Sequence, residues 1–246
     1  MTAGLWQTWV LPGIWTTVQL LVYSAALAAA VAFTVGIART HRSRPVRFLA
    51  GFYTEVFRGT SALVLMFWLF FVVPPLAGWQ LVPMWAAVLA LGLSYGAYGA
   101  EIVRGALNAV PVSQQEAGIA LSLTPWQRIR LVLLPQAVPE MIPPFCNLLI
   151  ELLKGTALVS LLGVGDVSFA AYLVRLATQE SAQIYTISLV IYFVLAFVLT
   201  RSMKALERKT KRNVGIEPEP GVLGGMFAKR AEADAAGSTV TGGVAK

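Results

Sequence analysis

Two pairs of oppositely charged residues interrupt long apolar segments of this sequence. Glu151 and Lys154 lie three residues apart, and one further pair, Glu101 and Arg104, repeats that spacing. Residues three apart share one face of a helix, and Asn147 precedes Glu151 by about one helical turn. Ionisable residues inside apolar helices are costly in lipid and are functional candidates. A zwitterionic solute needs one acidic and one basic partner, so we predict a substrate path here. A structural ion pair, or a position at the membrane surface, is the alternative.

The composition indicates a membrane protein. The chain is 57% hydrophobic and 13% charged, whereas soluble domains are roughly half apolar and a quarter charged. Five apolar segments are long enough, or nearly long enough, to cross a bilayer: residues 14–37, 61–76, 82–105, 140–162 and 183–203. We therefore predict an all-α membrane protein with five transmembrane helices. Residues 1–13 form an extracytoplasmic N-terminus, residues 14–205 the membrane domain, and residues 206–246 a largely disordered cytoplasmic tail.

The basic residues predict the orientation. They cluster in the first connection, at Arg39, Arg42, Arg44, Arg47 and Arg58, between the third and fourth segments, and after the fifth. The opposite side carries Arg175 alone. Because cytoplasmic loops are enriched in Lys and Arg, the N-terminus is expected outside and the C-terminus in the cytoplasm. The positions of the basic residues in these connections explain the net charge of +7 as a determinant of membrane orientation. No nucleic-acid partner is therefore expected.

The residues for several kinds of catalysis are missing from the sequence. The chain has one cysteine, Cys146, and one histidine, His41, which excludes an intramolecular disulfide and multi-cysteine metal sites. It has no phosphate-binding G-x-x-x-x-G-K-[ST] motif. We expect a chain that is not an enzyme and binds no cofactor. Asp166, in the connection after the fourth segment, is expected to be a solvated loop charge.

The connection between the third and fourth segments is the most informative stretch, about residues 111–135. Ser113 followed by Glu116 has the pattern of a capping box, which predicts a short helix from Ser113 to about Leu121. Thr124 and Pro125 predict a second helix start, since proline suits the first helical position. Prolines at 135, 139, 143 and 144 are expected to interrupt the return into the membrane. An irregular loop with incidental capping residues is the alternative.

This connection resembles the EAA loop of ABC-importer permeases. Glu116, Ala117 and Gly118 occupy the Glu-Ala-Ala positions, Ser122 stands where the family has glycine, and Pro135 closes the motif. The stretches EVFRGT, AYGAEIVRGAL, LPQAVPEMIPPFCN and LLKGTALVSLLGV are similar to the polar amino-acid (histidine/glutamine-type) branch, and the overall likeness extends to its ectoine/hydroxyectoine group. Glycine commonly supplies a positive φ angle, so Ser122 is expected to be sterically costly.

The resemblance implies a role for each part of the chain. Residues that would couple the chain to an ATPase are Ser113, Glu116, Ala117, Gly118, Ser122 and Pro135, the first five in or beside a cytoplasmic coupling helix. Glu55 and Arg58 would belong to a gate or form a structural pair. The implied partners are an ATPase dimer that holds ATP and Mg, an extracytoplasmic solute-binding protein and a second permease subunit. A heterodimer of permeases is favoured over a homodimer.

Three other functions are compatible with parts of this pattern. An ion-gradient-driven secondary transporter would explain the apolar segments and the internal charges, but not the EAA-like connection. A membrane-embedded enzyme lacks a metal-ligand cluster, and His41 lies outside the apolar segments. A scaffold that only anchors a cytoplasmic partner leaves Glu151 and Lys154 unexplained.

Overall fold

The computed structural model describes residues 6–78 and 80–213, which contain helices and their connections but no strand. The helices are α1 Leu11–Ala38, α2 Arg44–Gly59, α3 Ala62–Phe67, α4 Val73–Ala77, α5 Pro83–Ala109, α6 Val112–Ala120, α7 Pro125–Arg128, α8 Leu134–Thr156, α9 Val167–Thr178 and α10 Ser181–Asn213. Short π-helical turns precede α1 and join α3 to α4 and α7 to α8, and a 3-10 turn follows α8. The all-α prediction is confirmed for these residues, and most of the predicted tail lies outside them.

Four helical stretches are long and apolar enough to span a membrane: Thr8–Ala38, Pro83–Ala109, Pro125–Leu162 and Ser181–Arg212. A fifth span is obtained if Arg44–Gly59 and Ala62–Ala77, which are bent by 98° at their junction, count as one. Each predicted apolar segment falls within one of these stretches to within one residue. The fourth begins at Pro125 rather than near residue 140.

The expected proline breaks in the fourth span do not occur. Pro139, Pro143 and Pro144 all lie inside α8. A proline removes one backbone hydrogen bond and crowds the preceding turn. Transmembrane helices nevertheless accommodate prolines because neighbouring groups and small backbone adjustments satisfy the freed carbonyls. Pro135 lies in the first turn of α8, where no intrahelical N–H is needed.

Small residues hold α1 and α5 in close parallel contact. A Cβ atom added to Gly96 would lie 2.7 Å from Val31 Cβ, and one added to Gly36 would lie 2.7 Å from Val103 Cβ. The numbers of the facing residues rise together along both helices, so the helices run in the same direction. Their C-terminal ends therefore meet at one end of the bundle, which we call the arginine end because Arg39 and Arg104 lie there.

α8 and α9 pack against this pair. Tyr95 of α5 donates its hydroxyl to the backbone oxygen of Glu151 in α8, at 3.0 Å. At the end opposite the arginine end, the amide of Val167 donates to Thr17 Oγ1 at 3.2 Å, which joins α9 to α1. The chain divides into two compact units, Met1–Glu207 and Arg208–Lys246. Of the second unit, residues 208–213 are described, and they are helical.

Candidate functional site

The short helix α6, in the EAA-like connection, begins at Val112 rather than at Ser113. Pro111 is the residue before the helix, and no side chain caps the first turn. A capping residue needs a non-helical backbone, and Pro111 has one, with a ψ angle of 138°. Ser113 therefore lies within the first turn, where it cannot cap. The predicted capping box of Ser113 and Glu116 is wrong, although the predicted helix is present.

A capping box does occur at the second predicted helix start. Thr124 Oγ1 accepts a hydrogen bond from the Gln127 amide at 3.3 Å, and Gln127 Oε1 accepts one from the Thr124 amide at 2.9 Å. Pro125 follows as the first residue of α7. The start at Thr124 is confirmed, and the glutamine three residues later was the sequence signal for the box.

The turn after α6 requires a left-handed backbone at Ser122, whose φ angle is 55°. The amide of Leu123 donates to the Gly118 carbonyl at 3.1 Å, and the amide of Ser122 donates to the Ile119 carbonyl at 2.8 Å. These two bonds form a Schellman motif, in which glycine is the usual left-handed residue. The structure thus has a positive φ angle at the position where the EAA pattern has glycine and this chain has serine.

α6 is anchored to the segment that follows it. Gly118 is buried, and a Cβ atom there would lie 3.0 Å from Arg128 Cγ, so glycine makes room for the arginine stem. Gln136 of α8 donates to Gln114 Oε1 at 3.3 Å. Because α6 is fastened at both points, it can move together with α7 and α8.

The outer side of α6 is exposed. Glu116 and Ala117 are both exposed. Nearby apolar side chains are also open, with Ile119 58% and Leu121 74% exposed. A short anchored helix with a mixed acidic and apolar exposed face has the chemistry of a docking surface for another protein.

The predicted path residues of α8 lie on one exposed face. Asn147, Glu151 and Lys154 are all exposed in the single chain. Glu151 and Lys154 form no ion pair with each other or with another described residue. The suggestion that they pair with each other is therefore wrong for this structure. Glu140 is also exposed on α8, two helical turns before Asn147. This seven-residue spacing could have placed Glu140 on the same helix face as the three predicted path residues.

Glu101 and Arg104, the second predicted path pair, belong to a larger ion cluster. Arg104 Nε donates to Glu101 Oε2 at 2.8 Å. Arg39 Nη1 contacts the other carboxylate oxygen, and Arg58 Nη1 lies 3.9 Å from that same oxygen. The Glu101 side chain is 19% exposed. One carboxylate thus neutralises part of the charge of three guanidinium groups, and it joins α1, α2 and α5 at the arginine end.

The predicted pair of Glu55 and Arg58 forms no ion pair within 4 Å in the described residues. Arg58 turns toward Glu101 and also lies over the Tyr98 ring, 5.4 Å from its centroid. Burial lowers the pKa of Arg39, the charge of Arg104 lowers it further, and Glu55 has the opposite effect. Glu55 thus places a negative charge near Arg39 without pairing directly with Arg58.

Asp166 is buried, so the prediction that it is a solvated loop charge is wrong. It caps α9 by accepting from the amides of Phe169 at 2.9 Å and Ser168 at 3.2 Å. The Tyr192 hydroxyl donates to Asp166 Oδ2 at 3.2 Å. Burial raises the pKa of Asp166 to about 6, although these three hydrogen bonds oppose the shift. An Asp directly before the apolar sequence VSFAAYLV was the available signal for a helix cap.

Comparison with known proteins identifies the family. Residues 27–212 match the family described as the inner membrane component of binding-protein-dependent transport systems. A probable amino-acid ABC transporter permease protein of Sinorhizobium fredii is 46% identical, over 81% of this chain and 86% of its own length. An arginine transport system permease protein of Bacillus subtilis is 37% identical, over 83% of this chain and 93% of its own length.

Solved structures support the same fold. An amino acid ABC transporter crystallised with histidines has a TM-score of 0.74 and 28% identity, covering 81% of this chain and 93% of that one. A methionine ABC transporter in an inward-facing conformation has a TM-score of 0.71 at 22% identity, covering 81% and 95%. The family match over most of the chain, together with the helical spans, shows that this protein belongs to the inner membrane components of binding-protein-dependent ABC transport systems, as a non-catalytic permease subunit whose ATPase is a separate chain.

Proposed function

We propose that this chain is a permease subunit of an ATP-driven importer for amino acids or amino-acid-like zwitterions, with α6 as its coupling helix. The observation that carries the coupling role is the exposed face of α6 around Glu116 and Ala117, on a helix fastened to α7 and α8. The family supplies the ATPase and the solute-binding protein as partners. ATP and Mg are expected on the ATPase subunits.

Coupling would pass through a continuous helical connection. An ATPase dimer that closes on ATP would shift α6, and the contacts Gly118–Arg128 and Gln114–Gln136 would carry that shift into the fourth span. The same span carries Glu151 and Lys154. Rigid-body shifts of helices at subunit interfaces are an established way to switch a protein between two arrangements. The proposed mechanism thus links the nucleotide bound to the ATPase to the side of the membrane on which the substrate path is open.

The orientation that we propose places the arginine end in the cytoplasm and the N-terminus outside. The parallel packing of α1 and α5 brings the arginine-rich first connection and the end of the third span to the same side of the bundle. Basic residues favour the cytoplasmic side. In this orientation α6 faces the ATPase, and the Asp166 end faces the solute-binding protein.

The solute would meet opposite charges on α8. Glu151 and Lys154 are exposed and form no ion pair, so each could contact the opposite charge of a zwitterion. A second permease subunit would cover this face and complete the path between the two chains; we favour a heterodimer. Ectoine or hydroxyectoine is our specific candidate, and arginine is the natural competitor because a 37%-identical relative is named an arginine permease.

The coupling role is tested with Ala117→Trp. A bulky side chain on the exposed face of α6 should block ATPase docking and abolish transport while membrane insertion stays normal. Ala182→Trp is the matched control, because Ala182 is also exposed but lies at the start of α10, far along the chain from α6. Normal ATPase association and transport by the Ala117→Trp variant would disprove the coupling assignment.

The solute is tested by reconstitution with the neighbouring ATPase, binding protein and second permease. ATP hydrolysis is measured in nanodiscs with arginine, glutamine, cystine and ectoine. Stimulation by one solute that also requires this chain would identify the cargo, and Lys154→Met should reduce that transport. A wild-type rate for this variant would remove Lys154 from the path. The family match does not favour the alternative of an ion-gradient-driven secondary transporter.

A further inference from the structure

A cavity of about 630 Å³ lies at the arginine end of the unit Met1–Glu207. The connection between α1 and α2 forms one wall, and the end of α5, α6 and the α7 region form the others. Its charged lining consists of four arginines, Arg39, Arg42, Arg47 and Arg128, and His41 lies beside them. No Asp or Glu is among the described residues that line it. The cavity therefore has a strongly positive wall and no carboxylate of its own.

Most of this charge is not neutralised within the described part of the chain. Arg39 contacts Glu101, but Arg42, Arg47 and Arg128 form no ion pair with any described residue. The Nε atom of Arg128 is buried and has no hydrogen-bond partner there. A buried donor without a partner is unfavourable, so Arg128 carries an unsatisfied polar group beside the cavity. The cluster around Glu101 adds to the positive potential, since three guanidiniums share one carboxylate.

The helix that borders this cavity has an exposed apolar side. On α2, Phe48 is 71% exposed, Leu49 65% and Phe52 62%, and these positions lie on one side of the helix. Arg47, the residue before Phe48, lines the cavity. α2 is bent by 98° from the apolar stretch Ala62–Ala77. If that stretch crosses the bilayer, α2 lies along its surface, as amphipathic interfacial helices do.

We propose that the cavity binds the phosphate headgroup of an anionic phospholipid, with the acyl chains along the exposed side of α2. Phosphate oxygens match guanidinium donors in geometry and charge, and the apolar side of α2 favours a ligand that carries hydrocarbon. Basic pockets at the cytoplasmic ends of membrane helices are suited to such headgroups. The ligand is thus an amphiphile rather than a free anion.

The site also touches the proposed coupling segment. Gln115 of α6 and Arg128 of α7 line the cavity together with Arg42, which precedes α2, and Arg47 of α2. A bound headgroup would bridge these segments and hold α6 in place. We therefore infer that anionic lipid strengthens coupling between ATP hydrolysis and transport; this part of the inference rests on the proposed function, whereas lipid binding itself does not.

Lipid binding is measured by native mass spectrometry of the assembled transporter, titrated with phosphatidylglycerol in detergent. The site variant is Arg42→Gln with Arg47→Gln. The control is Arg201→Gln with Lys204→Gln, which removes the same charge from two exposed residues of α10 that do not line the cavity. At about fivefold per basic residue, the site variant should bind roughly 25-fold more weakly. The control should change by less than about threefold, because surface charges away from a site act only weakly.

The same variants are then compared in nanodiscs of neutral lipid with increasing phosphatidylglycerol. Solute-stimulated ATP hydrolysis should rise with the anionic fraction for the wild type and the control, and should stay flat for the site variant. Equal lipid loss by both double variants would overturn the proposal, because binding would then follow surface charge alone. Displacement of the lipid by millimolar inorganic phosphate would overturn it in favour of a free anion. Unchanged lipid retention with weakened ATPase association would show that an acidic surface of the ATPase occupies the cavity.

Discussion

Replacing Asp166 with asparagine should remove the pH dependence of stability that this carboxyl group causes below about pH 6. Asp166 is fully buried and accepts hydrogen bonds from the amides of Ser168 and Phe169. Asparagine caps helices about as well as aspartate, but it has a single side-chain oxygen, so it keeps the bond from one of these two amides and presents its NH2 group in place of the second oxygen. The charge also changes, because the asparagine side chain is neutral at every pH.

The magnitude follows from the shift in pKa. Burial raises the pKa of Asp166 from 3.8 to about 6, and one pKa unit corresponds to about 1.4 kcal/mol. The folded chain therefore favours the neutral carboxyl group. The stability that the neutral carboxyl contributes is fully present below the pKa of the unfolded chain, and it is lost as the pH rises through the pKa of the folded chain, about 6. The full effect is about 3 kcal/mol, and the wild type should lose about 2.4 kcal/mol of it between pH 4 and pH 7, relative to Asp166→Asn.

The assay is SDS-induced unfolding of the purified chain, with the free energy of unfolding measured from about pH 4 to pH 8. Subtracting the Asp166→Asn curve from the wild-type curve isolates the carboxyl group. Asp166→Ala separates capping from charge, because it also lacks the carboxyl group but leaves both amides without their acceptor; it should be less stable than Asp166→Asn by about 1 kcal/mol at every pH. A wild-type curve that runs parallel to the Asp166→Asn curve over this range would refute the reasoning.

Three further predictions concern other parts of the chain, each measured as a free energy of unfolding in the same assay. Ser122→Gly should stabilise the fold by about 1 kcal/mol, because glycine removes the left-handed strain. The control Ser113→Gly, inside α6, should destabilise the fold by a similar amount. Equal changes in the free energy of unfolding for both variants would contradict the assigned turn. Glu101→Gln should destabilise by about 2 kcal/mol at low salt and by less at high salt, because three guanidiniums lose their shared carboxylate; a salt-independent effect would contradict this. Gly96→Val should destabilise the fold by about 3 kcal/mol, since overpacking forces α1 and α5 apart. The control is Gly105→Val, at a position where the space is open. Comparable losses of stability at both glycines would show that helix propensity alone is responsible.

Several features were predictable because they depend on residues close together in sequence. The spans follow from the lengths of the apolar segments, since hydrocarbon selects helices of a minimum length. The start of α7 follows from Thr124 and Pro125, and the position of the turn after α6 follows from the EAA spacing around Ser122. Each of these signals lies within a few helical turns of the structure that it predicts.

Local sequence signals gave a wrong prediction where two possible helix starts lay close together. Ser113 and Glu116 have the spacing of a capping box, yet Pro111 begins the helix earlier because its fixed φ angle suits the residue before the first turn. The same pattern at Thr124 and Gln127 forms the box in full. The residue types alone did not distinguish the two cases, since the outcome depends on where the chain leaves the preceding helix.

Tertiary structure alone decided the states of the charged residues. Asp166 is buried because α9 packs on the start of α1 and α10 supplies Tyr192. Glu101 meets Arg39 because α1 and α5 are parallel and close, which depends on small residues on both helices. The sequence by itself determined the apolar spans, the family motifs and the local turns. Whether a charge is buried, paired or free depends on contacts between residues as much as 150 positions apart, and only the folded chain brings those together.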